Sequence, residues 1–193
     1  MLINESGLVR ALKRSYKQSG YTVVNREDCV VMYGATWYIE LNHALLPRKA
    51  LATIVEHMGL IPGLNRPTHI IKGEEAQLTM QEVADDDIAV WLGGEHGGEV
   101  TVVPVAMQGY QIFQAPGGGV CWGVPLSRLN IMEPDVIANA AAEIRGGCLR
   151  WENDGELVIT EAVRKSTSGW AKEWERAVWK ALEGIDLHRE DKQ

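Results

Sequence analysis

The stretch 93–99, Gly-Gly-Glu-His-Gly-Gly-Glu, sets one imidazole, His96, between two carboxylates, Glu95 and Glu99. Glu, His and Glu are competent metal ligands, and an imidazole beside a carboxylate is ordinary equipment for acid–base chemistry. A metal site needs three or four ligands held rigidly, however, and the four surrounding glycines favour a solvent-exposed loop. A second glycine cluster, Gly117-Gly118-Gly119, precedes Val120-Cys121-Trp122. Backbone N–H groups in such a loop approach anions closely. The Lys-Ser/Thr of a phosphate-binding P-loop is missing, and an extended run follows where that motif requires a helix, so a hairpin tip is expected. Cys121 would need a partner histidine and a helix N-terminus to act as a nucleophile; neither is marked, and packing is the plainer role. The chain has no Cys-x-x-Cys, no His-Glu-x-x-His and no recognisable Ser-His-Asp or paired-carboxylate arrangement. No catalytic residue, metal-ligand set or cofactor is therefore assigned.

Charge is more informative. Between Glu74 and Glu161 the chain carries fifteen carboxylates against three basic residues, Arg128, Arg145 and Arg150. The preceding 73 residues hold nine Lys/Arg against five Asp/Glu, and the remainder seven against six. Such an asymmetry speaks to partners and solubility, not to fold. The overall balance is −7, with 46% hydrophobic and 23% charged residues, the composition of a folded domain. No apolar run approaches the ~20 residues of a membrane span, and nothing at the N-terminus has signal-peptide character, so a cytoplasmic protein without a membrane partner is expected. Three widely spaced cysteines, Cys29, Cys121 and Cys148, fit free thiols. Seven tryptophans against one phenylalanine suit either a core with polar edges or an interface.

The elements that must position these groups follow from period and punctuation. A helix is expected over 5–18, capped by Asn4 or Ser6 and stopped by Gly20. Leu8, Leu12 and Tyr16 give it a buried stripe. Arg10, Lys13, Arg14 and Lys17 line another face; they are candidate anion contacts, with a solvated face as the plainer reading. Strands follow over 21–25 and 29–41, and a second helix opens at Pro47 and ends at Gly59. A short strand is expected at 69–71, while 77–83 reads equally as a strand or as the start of a helix through Leu92. The Asp85-Asp86-Asp87 triplet is a helix N-terminal turn or a loop turn. Strands 100–107 and 110–114 pair across Gln108-Gly109, and a further extended run covers 120–124. Pro134 opens a helix expected through Ile144, and 148–151 pairs with 156–160 across Asp154-Gly155. The last helix, 168–184, repeats Trp170, Trp174, Val178 and Leu182 every four residues, which predicts a buried stripe.

The sum is one α+β domain over 1–193, with a mixed or antiparallel sheet packed by about four helices. Two sub-lobes, 1–72 and 73–187, are compatible with it, and 188–193 is expected to fray. The leading functional expectation is a non-enzymatic protein that binds a macromolecule, in its most specific form an acidic inhibitor or modulator of a nucleic-acid-handling protein. An acidic face docks on the basic groove that otherwise holds phosphates. The implied partner is a protein with a basic surface, contacted through Glu74, Glu75, Asp85, Asp86, Asp87, Glu95 and Glu99. Direct nucleic-acid binding is opposed by charge. Two alternatives stand beside this: a small enzyme with a pocket near His96 and Cys121, and a structural subunit whose tryptophans complete a homo-oligomer.

Overall fold

The computed structural model of the protein describes residues 1–188, so the tail expected to fray lies, except for His188, outside the described residues. In chain order the elements are α1 (Glu5–Lys17), β1 (Tyr21–Asn25), β2 (Cys29–Gly34), β3 (Trp37–Asn42), a 3-10 turn (His43–Leu45), α2 (Arg48–Met58), β4 (Thr68–Ile70) and β5 (Gln77–Leu78). There follow α3 (Gln81–Leu92), β6 (His96–Met107), β7 (Tyr110–Gln114), β8 (Cys121–Pro125), α4 (Leu126–Leu129) and α5 (Pro134–Asn139). The chain then forms β9 (Ala142–Arg145), β10 (Cys148–Asn153), β11 (Glu156–Glu161) and α6 (Glu173–Glu183). The described residues thus hold six α-helices where about four were expected.

The eleven strands form one sheet in the order β5-β4-β1-β2-β3-β11-β10-β9-β6-β7-β8, and the pairings are antiparallel throughout. Its middle is the pairing of β3 with β11, Trp37 opposite Thr160 through Leu41 opposite Glu156. Beyond β11 the sheet curls. Gly123 of β8 exchanges two backbone hydrogen bonds, of 2.8 and 2.9 Å, with Val163 just past the end of β11, so the last strand in the order returns to the sheet's centre. This single bridge shelters part of the β8 edge, while β5 remains the other edge of the sheet.

Alternation along the strands creates two faces. The inner face carries Tyr21, Val23, Val30, Met32, Ile39, Leu41, Leu149, Trp151 and Val158, packed against Leu8 and Leu12 of α1 and Ile54 of α2. Phe113 meets Trp151 edge-on within this core, ring centres 5.7 Å apart. The outer face carries Val24, Val31, Tyr33, Tyr38, Leu157 and Ile159, covered by Ile88, Trp91 and Leu92 of α3. A third cluster joins the outside of β6–β8 to α6 through Val103, Ile112, Cys121, Trp179 and Leu182. At the margin of the core, the buried Glu156 carboxylate accepts the Leu2 N–H at 2.6 Å and the Ile3 N–H at 3.4 Å, which fixes the strand-like N-terminal residues.

The local signals that worked have clear causes. Asn4 caps α1 through its side chain, accepting the Gly7 N–H at 2.8 Å, and Gly59 ends α2 with φ +81°. Gln108 and Gly109, at φ +55° and +80°, make the β6–β7 hairpin turn. Two expectations are corrected. The helix from Pro134 stops at Asn139, and Ala142 and Ile144 point inward as alternate residues of β9, which is paired on both sides. A short apolar run fits both periods, and strand neighbours decided this one.

The last helix is the second correction. It begins at Glu173, where the Glu175 carboxylate accepts the Lys172 N–H at 2.9 Å, not at Ser166–Ser168. Its buried tryptophan is Trp179, while Trp170 and Trp174 are 64% and 55% exposed. Gly123 explains the choice: a Cβ there would lie 2.5 Å from the Trp179 ring, so a bare backbone on β8 leaves room for that indole. Truncating Trp179 to Ala should therefore cost about 3–5 kcal/mol, whereas Trp174→Ala at low micromolar protein should stay within about 0.5 kcal/mol, both measured by denaturant unfolding.

Candidate functional site

The outer face beyond α3 holds a cluster of ionisable side chains, and strand register arranges them in rows. One row runs Cys148, Arg145, His96 across β10, β9 and β6; the next runs Arg150, Glu143, Glu99. Three steps on β6 oppose two on β9, because a bulge at Gly97-Gly98 absorbs the extra residue. Gly98 has φ +91°, and a Cβ on Gly97 would press to 2.9 Å of Ile144. The glycines around His96 thus make a strand with a bulge, not the loop expected from sequence.

Glu143 is the hub of the rows. His96 Nδ1 lies 2.7 Å from its carboxylate, Arg145 donates from Nε at 3.0 Å and from a terminal nitrogen at 2.7 Å, and Arg150 Nε stands 4.0 Å away. The His96 hydrogen bond, followed by those from Arg145, holds the Glu143 carboxyl below its usual range. Arg150 donates to Glu152 at 2.6 Å, while its buried Nε has no hydrogen-bond partner among the described residues. Beside these rows runs a polar trough of about 820 Å³, lined by Arg26, Cys29, Glu40, Arg145, Arg150 and Glu152 among others. Its three arginines each meet a carboxylate: Arg26 with Asp85 at 3.4 Å, Arg145 with Glu143, Arg150 with Glu152. None of Glu143, Arg145, Arg150 or Arg26 stood out in the sequence. The available signal was the strand alternation that turns Glu143, Arg145, Arg150 and Glu152 to one side.

The face is rich in paired charges. Its thiols are poor nucleophiles: burial, with the Glu40 charge beside it, pushes Cys29 up to about 11, and burial raises Cys148 as well. Cys121 lies elsewhere, under α6, pushed up to about 11 by burial and the Glu183 charge, with Gln114 Nε2 3.5 Å from its sulfur. His96 and Cys121 each belong to a different cluster of neighbours. Among the described residues no three or more His, Cys, Asp or Glu side chains converge as a metal-binding group, and no helix is long and apolar enough to cross a membrane.

The seven acidic candidates are all exposed. Glu74 and Glu75 precede the edge strand β5, Asp85, Asp86 and Asp87 lie on α3, and Glu95 and Glu99 flank the start of β6. The helix links the two ends. Asp85 leans to Arg26 and Gln81, and Asp87 accepts from the Tyr33 hydroxyl at 3.4 Å. Asp86 and Glu82 face away from the buried pair Ala84 and Ile88. Near them are Met80, Val83 and Val90, and Val90 is 80% exposed. The basic candidates Arg10, Lys13, Arg14 and Lys17 are also exposed, but on α1, against the opposite face of the sheet. No family model, curated protein or solved structure matches the chain.

Two outcomes follow from the ionisation pattern. A thiol near 11 is overwhelmingly protonated at neutral pH, so Cys29 and Cys121 should resist iodoacetamide in the native protein and react on unfolding, as read by mass spectrometry. Glu143 has a folded pKa below its ordinary 4.5. Its stabilising contribution is therefore complete above that value and fades as pH falls through the folded one. Glu143→Gln should destabilise near neutral pH and approach the wild type in acid, measured by urea unfolding across a pH series.

Proposed function

We propose that the protein works without catalysis, by docking the α3 side of its sheet onto a protein partner with a basic surface, and that it modulates a nucleic-acid-handling protein in this way. The observation that carries the reading is the composition of the exposed side of α3. Apolar side chains exposed together mark interaction surfaces, and Val83 and Val90, two turns apart on one side of α3, stand bare beside Asp86 and Asp87, with Met80 bare at the helix start. Acids interleaved with apolar side chains match a partner that offers Lys and Arg around an apolar patch. The carboxylates steer the encounter and the apolar chains hold the complex once formed. Glu74 and Glu75 extend the acidic strip at one end of α3, and Glu95 and Glu99 at the other.

The test is capture of the partner followed by binding kinetics over a salt series. Reversing Asp85, Asp86 and Asp87 to Lys should slow association by about tenfold or more at low salt, with little effect on melting. Val83→Ser with Val90→Ser should instead speed dissociation. A nucleic acid bound by the same partner should compete with the protein. Salt-insensitive binding that survives the reversals would show that the acids serve solubility, and absence of competition would remove the nucleic-acid-handling partner.

A further inference from the structure

Helix α6 has two apolar stripes, and the fold uses only one. Trp179 and Leu182 pack on the outside of β6–β8. Beside it on the helix, Trp174, Ala177, Val178 and Ala181 lie one, three, four or seven residues apart, and Ile185 follows just past the helix end; all are exposed, with Trp174 and Ile185 each 55% bare. Exposed large apolar side chains in a contiguous row mark an interaction surface. The row is shaped as knob and hole: a large indole at one end, two alanines one turn apart in the middle. Seen down the helix axis, Glu173 and Lys180 share one flank of the row, while Val178 and Trp174 share the other.

From this pattern we infer that the exposed stripe of α6 pairs with the same stripe of a second copy of the chain, the two helices running antiparallel about a two-fold axis. A two-fold pairing of antiparallel helices brings like flanks together. Glu173 of each copy then faces Lys180 of the other, seven residues along, and the crossing centres between Arg176 and Ala177. In that register Trp174 enters the gap between Ala177 and Ala181 of the other copy, a knob in a hole. A parallel pairing would set the charged flank against Val178 and Trp174, and burying unpaired charge there is costly. The apolar side chains of the stripe cover roughly 450 Å² per copy, so about 900 Å² for the pair, below the ~1,200 Å² of stable interfaces and in the range of weak association. The dimer is therefore weak and concentration-dependent. It leaves α3, on another part of the sheet, exposed for the docking proposed above.

Sedimentation velocity on the full chain from low micromolar to several hundred micromolar tests the pairing. The wild type should pass reversibly from monomer to dimer over that range. Ala181→Arg, which fills the hole with a charge, should leave only monomer. Glu173→Lys and Lys180→Glu should each weaken association by at least tenfold, since each sets like charges across both symmetry-related contacts, and the double swap should restore most of the loss. All three positions are exposed, and unchanged melting curves will show that the variants fold. A wild type that stays monomeric at every concentration overturns the inference, as does a double swap no better than the single variants or dimerisation untouched by Ala181→Arg.

Discussion

The pairing of β3 with β11 is the constraint on which the rest of the structure hangs. It joins residues more than a hundred positions apart in a register of five opposed pairs, from Trp37 with Thr160 to Leu41 with Glu156. Both strands are sheltered on both faces, and Ile39 and Val158 meet at the centre of the main core. Without it, the N-terminal meander of β1, β2 and β3 and the sheet that begins at β11 would each expose an unpaired edge. The inner face of that junction is closed by α1 and the outer face by α3. Loop-closure entropy makes such a distant pairing costly to form, and only the burial it completes on two faces offsets that cost.

The curl of the second half follows from the same centre. Because β11 is held by β3, the chain just beyond it is fixed in place to receive β8, and the Gly123–Val163 bridge closes β6–β8 back on the sheet. Closure brings Phe113 against Trp151 inside and leaves the outside of β6–β8 bare. Helix α6 fills that outside with Trp179, and the segment after it is tied down by the buried Gln114 side chain, which donates to the Ile185 carbonyl and accepts the Leu187 N–H. Lys165, also buried, joins the two parts: its ammonium reaches Gln108 at 3.0 Å and Glu175 at 3.4 Å, and lies 4.4 Å from the centre of the Tyr110 ring. A buried charge held by a carboxylate, an amide and an aromatic face is the arrangement that makes burial tolerable.

Exposed acidic and apolar surface is left where these packings end. Helix α3 commits Ala84, Ile88, Trp91 and Leu92 to the sheet and turns its acids and bare valines outward. Helix α6 commits Trp179 and Leu182 and turns a second apolar row outward. In both, one side is spent on the fold and the other retains side chains that the fold has no use for.

The sequence alone determined the elements with strong local causes. Asn4 before an apolar repeat, Pro47 with Gly59, Gln108-Gly109 and Asp154-Gly155 act through their own backbone geometry and need no distant partner. Local charge was equally legible, and with it the exposed acids from Glu74 to Glu99. Tertiary structure decided whatever depended on which neighbour lay opposite. Ala142–Arg145 became a strand because β6 and β10 flank it, and the glycines around His96 became a bulge because β9 sets the register there. Trp179, not Trp174, entered the core because Gly123 on a strand far along the chain leaves room for an indole. Glu143, Arg145 and Arg150 met only when three strands aligned, since side chains adjacent across a sheet leave no mark in linear spacing.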